Sequence, residues 1–435
     1  MQLNKKQIKH FLQNVPNIIM SIINKLYKGE KIQNILFILM ILSACTPHSN
    51  ELWKDGLWRG ELAVADSKQV PFLFEVKNAN TDSTVVTLIN GEERVPLAGI
   101  VYSGDTVIIP IESFDAKIVT KISGNSMEGL LLKNYIDDDT GISFKAKRGK
   151  TFRFEPVAQP TSISIDGKWD VLFIQGSDTS HNVGIFTSVN QIVTGSILTN
   201  SGDLRFLEGI VTEDGVKLSA FGGLMPHLIE IRFLNKDSFE GEFNTAKSKT
   251  KLTGVRNDKA ALADAYSLAK MKPGFNRLHF KLPDMDGKLV SLSENQYKGK
   301  VVIVSILGSW CPNCIDEAKF LAPWYKENKN RGVEILGLAF ERKDNFDYAK
   351  ETINRLKKAE DIQYDILFAG EAHPITIAEV LPEIENFSGY PTTIFIDKQG
   401  KVKKIHTGFN GPATGLFYKE FQTEFNALVD SLLAE

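Results

Sequence analysis

Apolar and polar residues alternate in short runs from about residue 52 to residue 255, and Gly, Asn and Asp separate the runs. Residues 71–76 and 106–111 show the alternation clearly. Such runs are typical of antiparallel strands joined by tight turns, and no helical periodicity accompanies them. The pattern therefore predicts that this part of the chain is all-β.

Three sequence landmarks occur twice in the all-β part, in the same order, and the first pair is 111 residues apart. They are Gly56-Leu-Trp58 and Gly167-Lys-Trp169, residues 97–101 and 207–211, and residues 127–129 and 239–241. Ordered repeats at one spacing indicate a tandem duplication, so we predict two small barrels or sandwiches, in residues 45–160 and 161–256. We interpret Trp58 and Trp169 as core residues, with a ligand pocket as the alternative.

The pattern changes after Arg256. Residues 257–271 have helical spacing and precede Pro273-Gly274, which predicts a helical linker. Beyond it, apolar runs alternate with helical stretches, and the first run is suited to a central strand covered on both faces. The predicted strands are residues 299–307, 333–340, 393–397 and 401–405, and the predicted helices are residues 314–329, 344–358 and 417–433. This order of elements, in residues 272–435, predicts a thioredoxin-like α/β fold.

The amino-terminal region has the layout of a secretory signal. Three lysines up to Lys31 precede an apolar stretch from Ile35 to Ala44, which has half of the roughly 20 residues that a membrane-spanning helix needs. The stretch ends at Leu42-Ser43-Ala44-Cys45, which resembles the lipobox of bacterial lipoproteins. Residues 1–44 are therefore predicted to be a lipoprotein signal peptide and Cys45 the lipidated residue, with an ordinary signal peptide and an incidental Cys as the alternative.

Composition restricts the classes of function. The chain has 435 residues, enough for two to four domains, and 43% of them are hydrophobic, which is typical of globular proteins. Lys and Arg number 51 against 53 Asp and Glu, so there is no basic field to bind nucleic acid. Only three cysteines occur, too few for a scaffold held by disulfides.

A Cys-x-x-Cys motif lies between the predicted central strand and the helix that follows it, in the sequence Trp310-Cys311-Pro312-Asn313-Cys314. This is the usual setting of a redox dithiol. The first thiol lies at the amino end of the helix, where free N–H groups and the helix dipole favour the thiolate, and the second is more buried. Cys311 is therefore predicted to be the nucleophile and Cys314 the resolving thiol. Half of a zinc site and a structural disulfide stay open as alternatives, although no further Cys is left for a metal and His373 and His406 are isolated.

Together with residues 282–288 and 299–301, this motif resembles the TlpA/ResA-like thioredoxin-fold oxidoreductases, over residues 272–435. The resemblance implies a cis peptide bond before Pro391, whose neighbouring backbone groups hold an extended substrate. It also implies substrate contacts from four residues beside the dithiol and this proline, namely Trp310, Pro312, Tyr390 and Thr392. Glu317 falls where ResA-like members carry a buried acid that relays a proton to or from Cys314, with a helix-surface glutamate as the alternative.

The sequence departs from the family pattern in two places. The predicted strand ends in Leu-Gly-Ser-Trp, residues 307–310, so packing near the dithiol is expected to differ. Cys314 and Pro391 are 77 residues apart, which suggests an insertion in residues 369–387 that forms a lid or a partner surface. Peroxiredoxins share the fold, but Val304 and Gly308 replace the Pro and the Thr or Ser that their motif needs, so peroxidase activity is disfavoured.

These features predict a multidomain, lipid-anchored protein on the periplasmic side of a bacterial membrane, most simply a thiol-disulfide oxidoreductase that reduces protein disulfides. No cofactor is expected. The resemblance implies that a membrane thiol carrier re-reduces the dithiol. Two alternatives stay open: an oxidant in disulfide formation, which would use the same residues, and a partner- or ligand-binding lipoprotein whose β modules carry the function.

Overall fold

The computed structural model describes residues 53–137 and 139–435. The predicted signal peptide and Cys45 lie outside the described residues, so both stay predictions. In the part of the chain that is described, no helix combines the length and the apolar character needed to cross a membrane.

The first β module is an open antiparallel sheet. Its strands are β1 (Gly56–Ala63), β2 (Gln69–Lys77), β3 (Val85–Asn90), β4 (Glu93–Leu97), β5 (Val101–Ser103), β6 (Thr106–Ile111), β7 (Ala116–Ser123), β8 (Ser126–Lys133) and β9 (Ile142–Arg148). Their order in the sheet is β4-β3-β2-β1-β9-β8-β7-β6-β5, which leaves β4 and β5 as the edges. Buried and partly exposed residues alternate along β6, as the sequence pattern indicates for a strand with one face on the core.

The second β module closes into a barrel. Its strands are β10 (Gly167–Gln175), β11 (Asp178–Val189), β12 (Ile192–Thr199), β13 (Gly202–Asp203), β14 (Leu207–Val211), β15 (Gly215–Ala220), β16 (His227–Asn235), β17 (Ser238–Asn244) and β18 (Lys249–Arg256). The order β11-β10-β18-β17-β16-β15-β14-β12 is closed by antiparallel pairing of β11 with β12. The all-β prediction is therefore confirmed, with a barrel in one module and an open sheet in the other.

The two modules share details that go beyond the sequence landmarks. The indole Nε1 of Trp58 donates to the backbone carbonyl four residues earlier at 3.1 Å, and that of Trp169 does the same at 2.8 Å. Both indoles are fully buried, as expected of core residues. Gly56 and Gly167 each have a positive φ, +118° and +106°, which a side chain would strain. These matched features support the interpretation of a tandem duplication.

The predicted helical linker is mostly not helical. Helix α1 covers only Ala265–Leu268, and β19 (Lys270–Met271) follows it. Before α1, the backbone N–H of Asn257 donates to the Lys168 carbonyl at 3.0 Å, and Ala260 is buried against the barrel. The prediction of a helix over residues 257–264 is wrong because these contacts with the second module override a weak local propensity.

The carboxyl-terminal domain has a central sheet in the order β24-β23-β22-β26-β27. Strands β22, β23 and β24 are parallel, and β26 and β27 form an antiparallel hairpin beside β22. The strands of this domain are β20 (Leu282–Pro283), β21 (Leu289–Val290), β22 (Val301–Leu307), β23 (Val333–Glu341), β24 (Asp365–Glu371), β25 (Ile384–Glu385), β26 (Thr392–Ile396) and β27 (Val402–Thr407). Every residue of β22 is buried, and the thioredoxin-like prediction is confirmed.

Helices pack on the central sheet. They are α2 (Pro312–Asn328), α3 (Phe346–Ala359), α4 (Pro374–Val380) and α5 (Leu416–Ala434). The predicted insertion, residues 369–387, contains the end of β24, α4 and β25, and β25 pairs with β19. It is therefore part of the framework and not a lid, because its apolar residues pack in the same core as the central strands.

Arg153 joins the two β modules at a buried point. Its side chain is 2% exposed and donates to Asn90 Oδ1 of the first module at 3.1 Å and to the Ile89 carbonyl beside it. It also donates to Glu208 of the second module at 3.1 Å and to the Ser219 carbonyl at 3.2 Å. The guanidinium thus satisfies buried polar groups of both modules.

Candidate active site

Helix α2 begins directly after the predicted nucleophile. Pro312 is the first residue of the helix, a position whose N–H group would have no acceptor within the helix, so a proline fits there without loss. Cys311 is the N-cap residue. The Sγ atom of Cys311 accepts the backbone N–H of Cys314 at 3.3 Å. The Cys311 sulfur thus lies at the amino end of α2, the position that the sequence predicts for the nucleophile.

The two cysteines are free thiols that differ in burial. Cys311 is 6% exposed and Cys314 is 1% exposed. Burial raises the pKa of the Cys314 thiol well above its ordinary value, and the hydrogen bond with Cys311 raises it further. The sulfur at the helix end is therefore the more accessible one, and the buried sulfur is the one that keeps its proton, which is the asymmetry that a nucleophile and a resolving thiol need.

The loop before β26 brings a backbone acceptor to the dithiol. The Tyr390–Pro391 peptide bond is cis, as the resemblance implies. The Cys311 thiol donates to the Tyr390 carbonyl at 3.7 Å. Trp310 packs edge-on against the Tyr390 ring, with 5.6 Å between the ring centroids. Thr392 is fully buried, and its hydroxyl donates to the Gly389 carbonyl at 2.8 Å, so its side chain is engaged within the loop.

Glu317 lies on the buried face of α2, one turn after Cys314, and is 2% exposed. Its carboxylate accepts hydrogen bonds from the Ser305 hydroxyl at 2.6 Å and from the Thr393 hydroxyl. Burial raises the pKa of Glu317 to about 7, although both hydrogen bonds oppose the rise. A carboxyl with a pKa near neutrality can both donate and accept a proton at that pH, which suits acid–base chemistry. The alternative of a helix-surface glutamate is wrong.

A second buried acid beside the dithiol is absent from the sequence predictions. Glu341 is fully buried at the end of β23 and accepts the backbone N–H of Ser309 at 2.9 Å and its hydroxyl at 2.7 Å. Burial raises the pKa of Glu341 to about 7. Glu341 directly follows the mostly apolar run of residues 333–340. From the sequence alone, a polar residue in this position is expected at the exposed end of a strand, so no sequence signal indicates that Glu341 is buried.

Arg205 of the second module also reaches the dithiol helix and was not predicted. Its guanidinium pairs with Glu93 of the first module and, at 3.2 Å, with Asp316 of α2. Its Nη1 donates to the carbonyl of Pro312 at 3.4 Å. The second module is therefore bound directly to the first turns of the helix that carries the cysteines, and the first module is linked to it through the Glu93–Arg205 pair. No motif in the sequence indicates that Arg205, unlike a surface arginine, would contact the dithiol helix.

The remaining sequence hypotheses concern metals and anchoring. Across residues 53–137 and 139–435, no three or more His, Cys, Asp and Glu side chains come together in a way that could hold a metal ion. His373 caps α4, and His406 is buried against Tyr266 and Phe421. Cys45 lies outside the described residues, so its lipidation stays a prediction.

Comparisons with known proteins find matches to the carboxyl-terminal domain. Residues 275–405 match the model of a family described as the AhpC/TSA family. Thiol-disulfide oxidoreductase ResA of Bacillus subtilis (strain 168) is 30% identical over 135 residues, which are 31% of this chain and 67% of that protein. ResA of Halalkalibacterium halodurans is 30% identical over 139 residues, which are 32% of this chain and 69% of that protein.

A solved structure is also similar, a thioredoxin-family thiol:disulfide interchange protein from Chlorobium tepidum TLS. It is 24% identical, with a TM-score of 0.28, and covers 38% of this chain and 99% of its own. The family match falls within the carboxyl-terminal domain, so the β modules take no part in it.

Proposed function

Because this chain belongs to the family of ResA-like thiol-disulfide oxidoreductases, we propose that it reduces protein disulfides through Cys311 and Cys314. The observation that carries this proposal is the position of the Cys311 sulfur. It lies at the N-cap of α2, 3.3 Å from the Cys314 N–H group and 3.7 Å from the Tyr390 carbonyl oxygen. A substrate sulfur that reaches it meets a nucleophile with a second thiol one helical turn away.

The reaction conserves electrons and protons in two exchanges. The Cys311 thiolate attacks one sulfur of the substrate disulfide, the substrate S–S bond breaks, and the leaving thiolate takes up a proton. The Cys314 thiol then loses its proton and attacks Cys311 in the mixed disulfide. The second substrate thiol leaves, so the substrate gains two electrons and the enzyme is left with a Cys311–Cys314 disulfide.

Nearby residues support these steps. Glu317 receives the proton of Cys314, because its pKa of about 7 lets it change protonation state near neutral pH. The backbone beside Pro391 holds the substrate chain next to Cys311. Trp310, Pro312, Tyr390 and Thr392 shape this binding region, with Thr392 acting through the loop because its own side chain is buried.

The cellular setting is part of the same proposal. Cys45 anchors the protein to a membrane by lipid, and the two modules and the dithiol domain act outside the cytoplasm. A membrane protein dithiol re-reduces the Cys311–Cys314 disulfide and supplies the two electrons that each turnover consumes. No metal or organic cofactor takes part in this exchange.

Trapping of the mixed disulfide tests the dithiol. With Cys314→Ser, the reaction with a disulfide-containing protein is expected to stop at a covalent complex through Cys311, seen as a band that a reductant removes. The wild type should release the reduced substrate, and Cys311→Ser should form no complex. A complex that forms equally well with Cys311→Ser would contradict the assigned roles.

The reduction potential of the pair tests the direction. It is measured by equilibrating the protein, produced from Thr46 onward, with graded thiol–disulfide buffers and trapping the free thiols; about 30 mV corresponds to a tenfold change in the equilibrium. A potential near about −270 mV, as in thioredoxin, would support a reductase. A potential near about −120 mV would instead favour the alternative of an oxidant in disulfide formation.

A further inference from the structure

The second β module covers the dithiol. We define residues 200–206 as the cover loop. Ser201 lies so close to Gly389 that a Cβ atom on this glycine would be 2.9 Å from the Ser201 Cβ. The Asn313 amide, oriented by its hydrogen bonds, donates to the Asp203 carbonyl at 3.3 Å and accepts the Asp203 N–H at 3.2 Å. The cover loop thus lies over both the turn before Pro391 and the first turn of α2.

A cavity beside Cys311 remains open under this cover. We call it the junction cavity; its volume is about 290 Å³, and residues of both β modules and of the dithiol domain line it. Its walls are largely apolar and include Phe114, Leu204, Met225 and Phe243. A cavity of about 150 Å³ already holds a benzene molecule, so the junction cavity has room for one large side chain and part of its backbone.

Two side chains set the character of the junction cavity. Met225 lies in the loop before β16, lines the cavity and is 49% exposed, so it offers an apolar surface to an incoming chain. Arg205 also lines the cavity, but its guanidinium is held by Glu93, Asp316 and the Pro312 carbonyl, and its Nε atom is enclosed by protein. The cavity therefore offers a ligand mainly its apolar walls, directly beside Cys311.

We propose that the junction cavity is a specificity site for one large apolar side chain next to the disulfide cysteine of an extended polypeptide. This proposal rests on the proposed function, since the bound cysteine must reach Cys311. The cover loop excludes a folded surface from the dithiol, so the substrates are unfolded or loosely structured chains. The apolar neighbour enters the cavity while the substrate cysteine meets Cys311, which lines the same cavity. The site belongs to the β modules, which the family match does not include.

Paired disulfide peptides test the proposal. Two short peptides are prepared as symmetric disulfides, identical except for Phe or Gly next to the cysteine, and each is mixed with the fully reduced protein. The loss of protein thiols then gives the rate constant for each peptide. Burial of the Phe ring is expected to make its peptide react about 10- to 100-fold faster than the Gly peptide. Equal rate constants for the two peptides would overturn the proposal.

Two matched variants locate the effect. Met225→Glu places a charge at the cavity mouth and is expected to lower the rate constant of the Phe peptide about tenfold, while that of the Gly peptide changes less than about twofold. Leu234→Glu is the control, because Leu234 is 54% exposed in the same module and does not line the cavity. It should leave both rate constants unchanged. An equal loss for both peptides with Met225→Glu would refute the site.

Failure of the proposed function gives a different result. In that case neither peptide reacts with the wild-type protein, and the Cys314→Ser variant forms no mixed disulfide with either one. If both peptides react at similar rates and the mixed disulfides form, the dithiol works as proposed and only the specificity site is refuted.

Discussion

Replacement of Glu317 by Gln should change how the stability of the protein depends on pH. Glu317 is 2% exposed, and burial raises its pKa from 4.5 to about 7. Between these values the folded chain keeps a proton that the unfolded chain releases. The free energy of unfolding of the wild type therefore falls as the pH rises from about 4.5 to 7, and this contribution levels off above pH 7. Gln has no proton to release, so Glu317→Gln lacks this fall.

The size of the effect follows from the pKa. A rise from 4.5 to about 7 corresponds to on the order of 3 kcal/mol of unfolding free energy. Compared with the wild type, Glu317→Gln should therefore become more stable by about this amount as the pH rises from 4 to 8. The buried His227 and His406, whose pKa values burial lowers to about 4, act in the opposite sense, but they do so in both proteins and cancel in the difference.

Urea unfolding at several pH values between 4 and 8 measures the difference, and Glu341→Gln is the matched control. Glu341 is equally buried, with its pKa raised to about 7 and with Ser309 and Thr352 as hydrogen-bond partners. The charge of Glu317, unlike that of Glu341, contributes to the raised pKa of Cys314. Both variants should flatten the stability profile. Only Glu317→Gln should also remove the pH dependence near 7 from the rate at which Cys314 resolves the mixed disulfide.

Two outcomes would refute this reasoning. If the stability difference between the wild type and Glu317→Gln stays constant from pH 4 to 8, burial does not raise the pKa of Glu317 in the folded protein. If the two Gln variants change the resolution rate alike, the effect comes from a general change in packing, and Glu317 does not serve Cys314.

Two further predictions concern the β modules. Arg153→Met should destabilise the protein by about 3–5 kcal/mol in urea unfolding, because Glu208 and several buried acceptors lose their donor. The control is Arg94→Met at an exposed position, which should change the free energy of unfolding by less than about 0.5 kcal/mol. Trp169→Ala should cost about 3–5 kcal/mol in the same assay, since the fully buried indole packs in the core of the barrel. A loss below about 1 kcal/mol would contradict its core role.

Short-range sequence patterns were sufficient to predict individual strands and the start of the helix that carries the dithiol. The mostly apolar run at residues 299–307 contains β22, because a strand covered on both faces buries mainly apolar side chains. The Cys-Pro-Asn-Cys spacing placed Cys311 at a helix end, since a Pro after the first Cys suits the first position of a helix. The alternation in residues 52–255 indicated strands but not whether the sheet closes, which depends on pairing of β11 with β12.

The parts that were missed depend on contacts between distant segments. Residues 257–264 have helical spacing, yet contacts of Asn257 and Ala260 with the second module, and the turn between them, keep this segment from forming a helix. Arg205 and Cys311 are more than 100 residues apart in the chain, so no motif joins them. The role of Glu341 appears only when the end of β23 lies beside Ser309.

The open sheet of the first module also bears on aggregation. An edge strand offers unpaired N–H and C=O groups on which a strand of another molecule can grow. Here the edge β4 carries Glu93, Arg94 and Pro96, and the edge β5 has only three residues. Charge and proline disfavour a neighbouring strand, and three residues offer few hydrogen bonds. The two β modules thus avoid intermolecular β-pairing by different routes, one by closing its barrel and the other by the composition of its edges.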